Sequence, residues 1–176
     1  MPSAFGHAVA AIALAKASPR VRFGAKTACI GAVSAMVPDI DVLAFKFGVA
    51  YDHPFGHRGF THSLVFAVLW SLLMLLAYRR TERTDWLWLC LFLCVASHPL
   101  LDMFTNGGLG CALFAPFSNE RLFFPWRPIA VSPLGIHSFF GEWGLRVLKS
   151  EALWIGLPST VVYAAARVLK RRAVRH

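Results

Sequence analysis

Charge is what this chain has least of. Charged residues make up 15% of it, and the acidic ones are outnumbered, nine Asp and Glu against eighteen Lys and Arg. That scarcity argues against a soluble surface built from mixed charge, and against disorder driven by like charges. Cysteine is nearly as spare. The four cysteines, Cys29, Cys90, Cys94 and Cys111, form no CxxC pair, so neither a disulfide framework nor a thiolate zinc site is expected. There are no internal repeats and no low-complexity tract. The apolar stretch over residues 8–15 has no basic segment before it and is read as a retained helix, not a cleaved signal.

Apolar residues are what is present. They reach 57%, with a mean hydropathy of +0.56, which points to lipid as the solvent for much of the chain. The net charge of +9 does not mark a nucleic-acid binder. The basic residues gather at the ends of apolar runs, as membrane topology requires, so no nucleic-acid partner is expected.

The pattern predicts an all-α integral membrane bundle of about three long spans plus two shorter N-terminal helices, folded as a single domain over 1–176. Short helices are expected over 4–15 and 27–37, the second interrupted by Pro38-Asp39-Ile40-Asp41. Long spans are expected over 61–78, where Thr61 is the expected N-cap, over 86–103, and over 151–169 with an interruption at Gly156-Leu157-Pro158. Residues 1–108 hold the polar motifs. Residues 109–150, rich in Gly, Pro, Phe and Trp, read as irregular, and 151–176 as the closing helix and basic tail.

Arginine and lysine set the orientation. Lys16, Arg20, Arg22, Lys26, Arg79, Arg80, Arg83, Lys170, Arg171, Arg172 and Arg175 fall on one side, the cytoplasmic one by the positive-inside rule. Lys46, Arg58, Arg121, Arg127, Arg146 and Lys149 fall on the other. This arrangement sends His7, Asp39, His62, His98 and Asp102 to one level, at the non-cytoplasmic end. Helices of 11 or 12 residues reach only about 18 Å, short of the roughly 30 Å hydrocarbon layer, so the first two need not span it.

Ionisable residues at that depth are costly unless used. The densest stretch is His57-Arg58-Gly59-Phe60-Thr61-His62-Ser63. His98 and Asp102, four residues apart on a helix, project from one face and can reach one cation. Alone, His98 would be an ordinary interior histidine. Asp39 and Asp41 are either ligands or first-turn acids of a helix begun by Pro38. His57 and His62 alone would fit a pH-sensitive loop. Together His7, Asp39, Asp41, His57, His62, His98 and Asp102 form a mixed imidazole–carboxylate set suited to zinc, manganese or iron. Seven candidates exceed one tetrahedral site, and two metals suit phosphoester hydrolysis. Arg58 is then a candidate phosphate clamp, and Asp39 or Asp41 a candidate general base. His53 and His137 are read as loop histidines.

These motifs, His7, then Pro38-Asp39-Ile40-Asp41, the HRGxTHS run, and Ser97-His98-Pro99-Leu100-Leu101-Asp102, resemble the YdjM-like (LexA-regulated) family of membrane-bound metal-dependent hydrolases. The resemblance implies a bacterial inner-membrane protein and a hydrolytic reaction. The order of motifs is also similar to zinc-dependent phospholipase C and its single-strand nuclease relatives. That similarity implies one zinc on Asp39, His57 or His62, His98 and Asp102, and a second shared by His7 and Asp102. The N-terminal tryptophan of those enzymes and their later His…HxxxE cluster have no counterpart here, so a third metal is not expected. The expected partners are membrane lipid and a lipid or lipid-linked phosphoester. The rival readings are a non-enzymatic metal carrier or sensor, and a structural protein with a hydrogen-bonded polar cluster.

Overall fold

A computed structural model describes residues 1–18, 24–78 and 84–173. The basic positions Arg20, Arg22, Arg79, Arg80, Arg83 and Arg175 used for orientation lie outside these residues. The described residues are helical, with two isolated β-bridges, Thr105–Ile129 and Cys111–Leu122.

Helix α1 (Ala4–Ala17) is capped by Ser3, whose hydroxyl accepts from the Gly6 amide at 3.3 Å. Its alanines let α2 (Ala25–Met36) and α4 (Thr84–Met103) approach closely. Ala11, Ala15, Ala35, Leu87, Cys90, Leu91 and Cys94 form the shared core. α3 (Leu64–Ala77) lies on α4 through Ala67, Val95 and Ala96.

α2 does not end at Pro38 in a break. Pro38 lacks the N–H that would bond the Ser34 carbonyl, so the Val37 amide takes that carbonyl and the turn tightens. The chain continues as a 3-10 helix over Val37–Phe47 and stops at Gly48, φ +76°. The combined piece, Ala25–Phe47, is long and apolar enough to cross a membrane.

The expected span at 61–78 is correspondingly shorter. Its N-cap is Ser63, which accepts from the Phe66 amide at 3.0 Å, and Phe60–His62 forms a 3-10 turn before it. Thr61 is not the cap; its hydroxyl donates to Asp41 instead. The other two helices of spanning length are Thr84–Met103 and Glu142–Arg172. The last one starts earlier than expected. α5 (Ile136–Phe139) and α6 (Glu142–Glu151) occupy sequence read as irregular. Gly156-Leu157-Pro158 does not interrupt it either: a π turn over Ala152–Gly156 joins α6 to α7 (Leu157–Ala173) and places Pro158 in a first turn, where its missing N–H is tolerated.

α2 and α4 approach closely at Gly31, where an added Cβ would lie 3.2 Å from Cys94 Sγ. Gly31→Leu should therefore lower the thermal midpoint in detergent, since overpacking costs about 1–3 kcal/mol. Gly24→Ala, where a Cβ meets nothing within 4 Å, should leave the midpoint unchanged.

Candidate metal centre

Five side chains from four elements meet at one end of the bundle. His7 comes from the first turn of α1, Asp39 from the 3-10 helix after α2, and His62 from the turn before α3. His98 and Asp102 come from the last turns of α4. His7, His62, His98 and Asp102 are fully buried.

The geometry is that of ligands facing a common point. One donor atom from each of Asp39, His62, His98 and Asp102 lies within 4.8 Å of the others. The Nε2 atoms of His62 and His98 are 3.0 Å apart. Asp39 Oδ1 is 3.3 Å from His98 Nε2 and 3.5 Å from His62 Nε2. Asp102 divides its oxygens: Oδ1 is 3.3 Å from His7 Nε2, and Oδ2 is 3.5 Å from His62 Nε2. The His7 ring stacks on His98 with centroids 3.7 Å apart.

Each of the two Nε2 atoms is freed by a bond on the other side of its ring. His98 Nδ1 donates to the Ala35 carbonyl at 2.7 Å, and His62 Nδ1 points between the Thr61 hydroxyl and Asp41 Oδ2, each at 3.1 Å. Such partners fix the tautomer and the ring plane of a ligand. What the cluster lacks is donors for its own inward atoms. His7 Nδ1 and Nε2, Asp39 Oδ1 and Asp102 Oδ1 are buried with no hydrogen-bond partner among the described residues, while Asp102 Oδ2 faces the Arg58 guanidinium at 2.9 Å. Orphaned acceptors in an all-nitrogen-and-oxygen set fit a divalent cation such as zinc, manganese or iron.

Asp41 and His57 stand behind this set. Asp41 accepts from His57 Nδ1 at 2.6 Å, Thr61 Oγ1 at 2.6 Å, the Arg58 amide at 3.1 Å and His62 Nδ1. A carboxylate has about four lone-pair sites, so these donors use them up. Asp41, His57 and His62 also lie close enough to share a cation. In this structure Asp41 is held by His57, Thr61 and the Arg58 amide. Asp41 therefore orients both histidines.

Arg58 is fully buried and held in the left-handed region, φ +62°. Its Nε lies 2.9 Å from Asp102 Oδ2, and its terminal nitrogens donate to the Gly107 carbonyl and the Thr105 hydroxyl at 2.9 and 3.0 Å. Burial alone would lower its pKa, but the adjacent negative charge, Asp102 foremost, raises it above the ordinary value. These contacts make Arg58 the counter-charge that positions Asp102. Gly59 permits the turn, because a Cβ there would sit 2.2 Å from the Pro54 carbonyl oxygen.

Over residues 1–174 the sequence matches the family described as YdjM inner membrane protein. The chain belongs to the YdjM inner membrane protein family. It is also similar to Inner membrane protein YbcI of Escherichia coli (strain K12), 46% identical over 134 residues that cover 75% of this chain and 78% of the relative. No solved structure matches it. A YdjM inner membrane protein with three helices of spanning length is an integral, multi-pass membrane protein.

Some residues of this YdjM family site carried no sequence signal. Thr105 accepts from Arg58 at 3.0 Å. Arg121 donates to the carbonyls of His57, Tyr51 and His53, which ties the 51–57 loop to the irregular segment. Only tertiary contact reveals these roles.

The protein purified without chelator should carry stoichiometric divalent metal. His98→Ala and Asp102→Ala should abolish it. Asp41→Asn, which keeps the ligands and loosens their support, should weaken affinity about 10–100-fold. Elemental analysis after graded dialysis checks all three.

Proposed function

We propose that this protein is a membrane-bound metal-dependent hydrolase acting on a phosphoester of a lipid or lipid-linked substrate. The observation that carries the reading is the set of orphaned, inward-facing donors on His7, Asp39 and Asp102, beside the Nε2 atoms of His62 and His98, which face each other at 3.0 Å. The resemblance to the YdjM-like metal-dependent hydrolases supports the same reaction class.

Asp39, His62, His98 and Asp102 are the residues to hold one divalent ion. His7 with Asp102 Oδ1, 3.3 Å apart, would begin a second site, in line with the two zincs the resemblance implies. When bound, such ions lower the pKa of water and stabilise charge developing on a phosphoryl group. The remaining roles belong to the chain. Asp41 is saturated with donors, so orienting the attacking water falls to Asp39. His57 has Nδ1 committed to Asp41, and its other ring nitrogen can carry a proton for the leaving group. Arg58 holds Asp102 in place instead of reaching out to clamp phosphate.

By the same proposal the metal end faces away from the cytoplasm, and the basic connections and C-terminus face toward it. A C-terminal green fluorescent protein fusion should then fluoresce, and a C-terminal alkaline phosphatase fusion should be inactive. The reverse pattern would refute the orientation.

The hydrolytic reading is tested with purified, metal-loaded protein on phosphodiester and phosphomonoester lipids. Turnover should fall to background on chelation and in His98→Ala, and return with added zinc or manganese. Stoichiometric metal with no turnover on either ester class would favour a non-enzymatic metal protein, a reading to which the complete burial of His7, His62, His98 and Asp102 also lends itself.

A further inference from the structure

An apolar groove begins beside the metal cluster and leads away from it. Its inner cavity, about 350 Å³, is lined by His57 and Arg58 at one end and by Tyr51, Val131, Leu134 and Trp143 elsewhere. A second cavity, about 330 Å³, shares residues 132–135 with the first and continues to Phe5, Phe139 and Phe140. Both volumes are those of small-molecule sites.

The shared wall is irregular backbone, yet it is pinned at several points. The Val131 amide donates to Asn106 Oδ1, the Trp143 indole donates to the Val131 carbonyl at 2.9 Å, and the Ser132 amide donates to the Met1 carbonyl at 2.8 Å. A wall fixed in this way is pre-organised, so little ordering cost remains when something binds along it. Leu134, on the wall the two cavities share, is 50% exposed, and Phe5 and Phe140 at the outer end are 65% and 84% exposed. The groove thus grades from buried imidazole and guanidinium to open aromatic and aliphatic surface.

We propose that this groove takes the alkyl chain of an amphiphilic phosphoester, with the phosphate at the metal cluster and the chain along Val131, Leu134 and Trp143 toward Phe5 and Phe140. The proposal rests on the phosphoester hydrolase reading and specifies its substrate as a long-chain lipid. The polar-to-apolar gradient matches a molecule with an anionic head and a hydrocarbon tail. A water-soluble phosphoester would use only the inner cavity and gain nothing from Phe5 or Phe140.

The test uses non-hydrolysable alkylphosphonates, so it does not depend on turnover. Zinc-loaded protein in nanodiscs is titrated with chain-brominated undecylphosphonate and with bromopropylphosphonate while tryptophan emission is followed. The long ligand should quench wild-type emission, and Trp143→Phe should lose a distinct part of that quenching. Affinity should rise roughly twofold or more per added methylene. Leu134→Arg should shrink the long-to-short ratio of Kd at least tenfold. Equal quenching in wild type and Trp143→Phe, or a Kd ratio untouched by Leu134→Arg, would overturn the groove. Quenching without lipid hydrolysis keeps the groove and removes the hydrolase. Equal turnover of long- and short-chain esters removes the groove and keeps the hydrolase.

Discussion

Buried negative charge that must be answered is the constraint on which the rest of this structure depends. Asp39, Asp41 and Asp102 lie together at the end of an apolar bundle, where an uncompensated carboxylate is expensive. Asp41 is answered by imidazole, hydroxyl and amide donors, and Arg58 answers one oxygen of Asp102. Asp39 Oδ1 and the His7 side of Asp102 are left facing inward among imidazole nitrogens. That arrangement of nitrogen and oxygen atoms is suited to a divalent cation.

The fold serves this end of the molecule. Small residues on α1, α2 and α4 bring the helices close enough for His7, Asp39 and His98 to meet. The 3-10 continuation after Pro38 sends two aspartates two residues apart to different neighbours. Asp39 turns to His62 and His98, and Asp41 to His57 and Thr61. The strained φ of Arg58 is held by contacts on both its backbone and its side chain.

Much of this was legible in the sequence. The spacing of His98 and Asp102 is a local helical fact, and the ends of successive apolar runs set the level of His7, Asp39 and His62. The all-helical membrane class followed from hydropathy. Boundaries were less legible. Thr61 and Ser63 are both good caps, and the choice went to Ser63 because Asp41 claims the Thr61 hydroxyl. The π turn at Ala152–Gly156 let Pro158 follow without a break, which no local propensity signals. The division between His62 as a ligand and His57 as its neighbour depends on which ring nitrogen Asp41 takes, and Arg121 and Thr105 act only through long-range contacts.

X-ray absorption at the metal edge of the native protein addresses the central claim most directly. The account predicts a first shell of nitrogen and oxygen near 2.0–2.1 Å for zinc, with outer-shell scattering from at least two imidazoles, reduced when His98 is replaced. A shell containing sulfur near 2.3 Å, or a spectrum with no imidazole scattering, would contradict it.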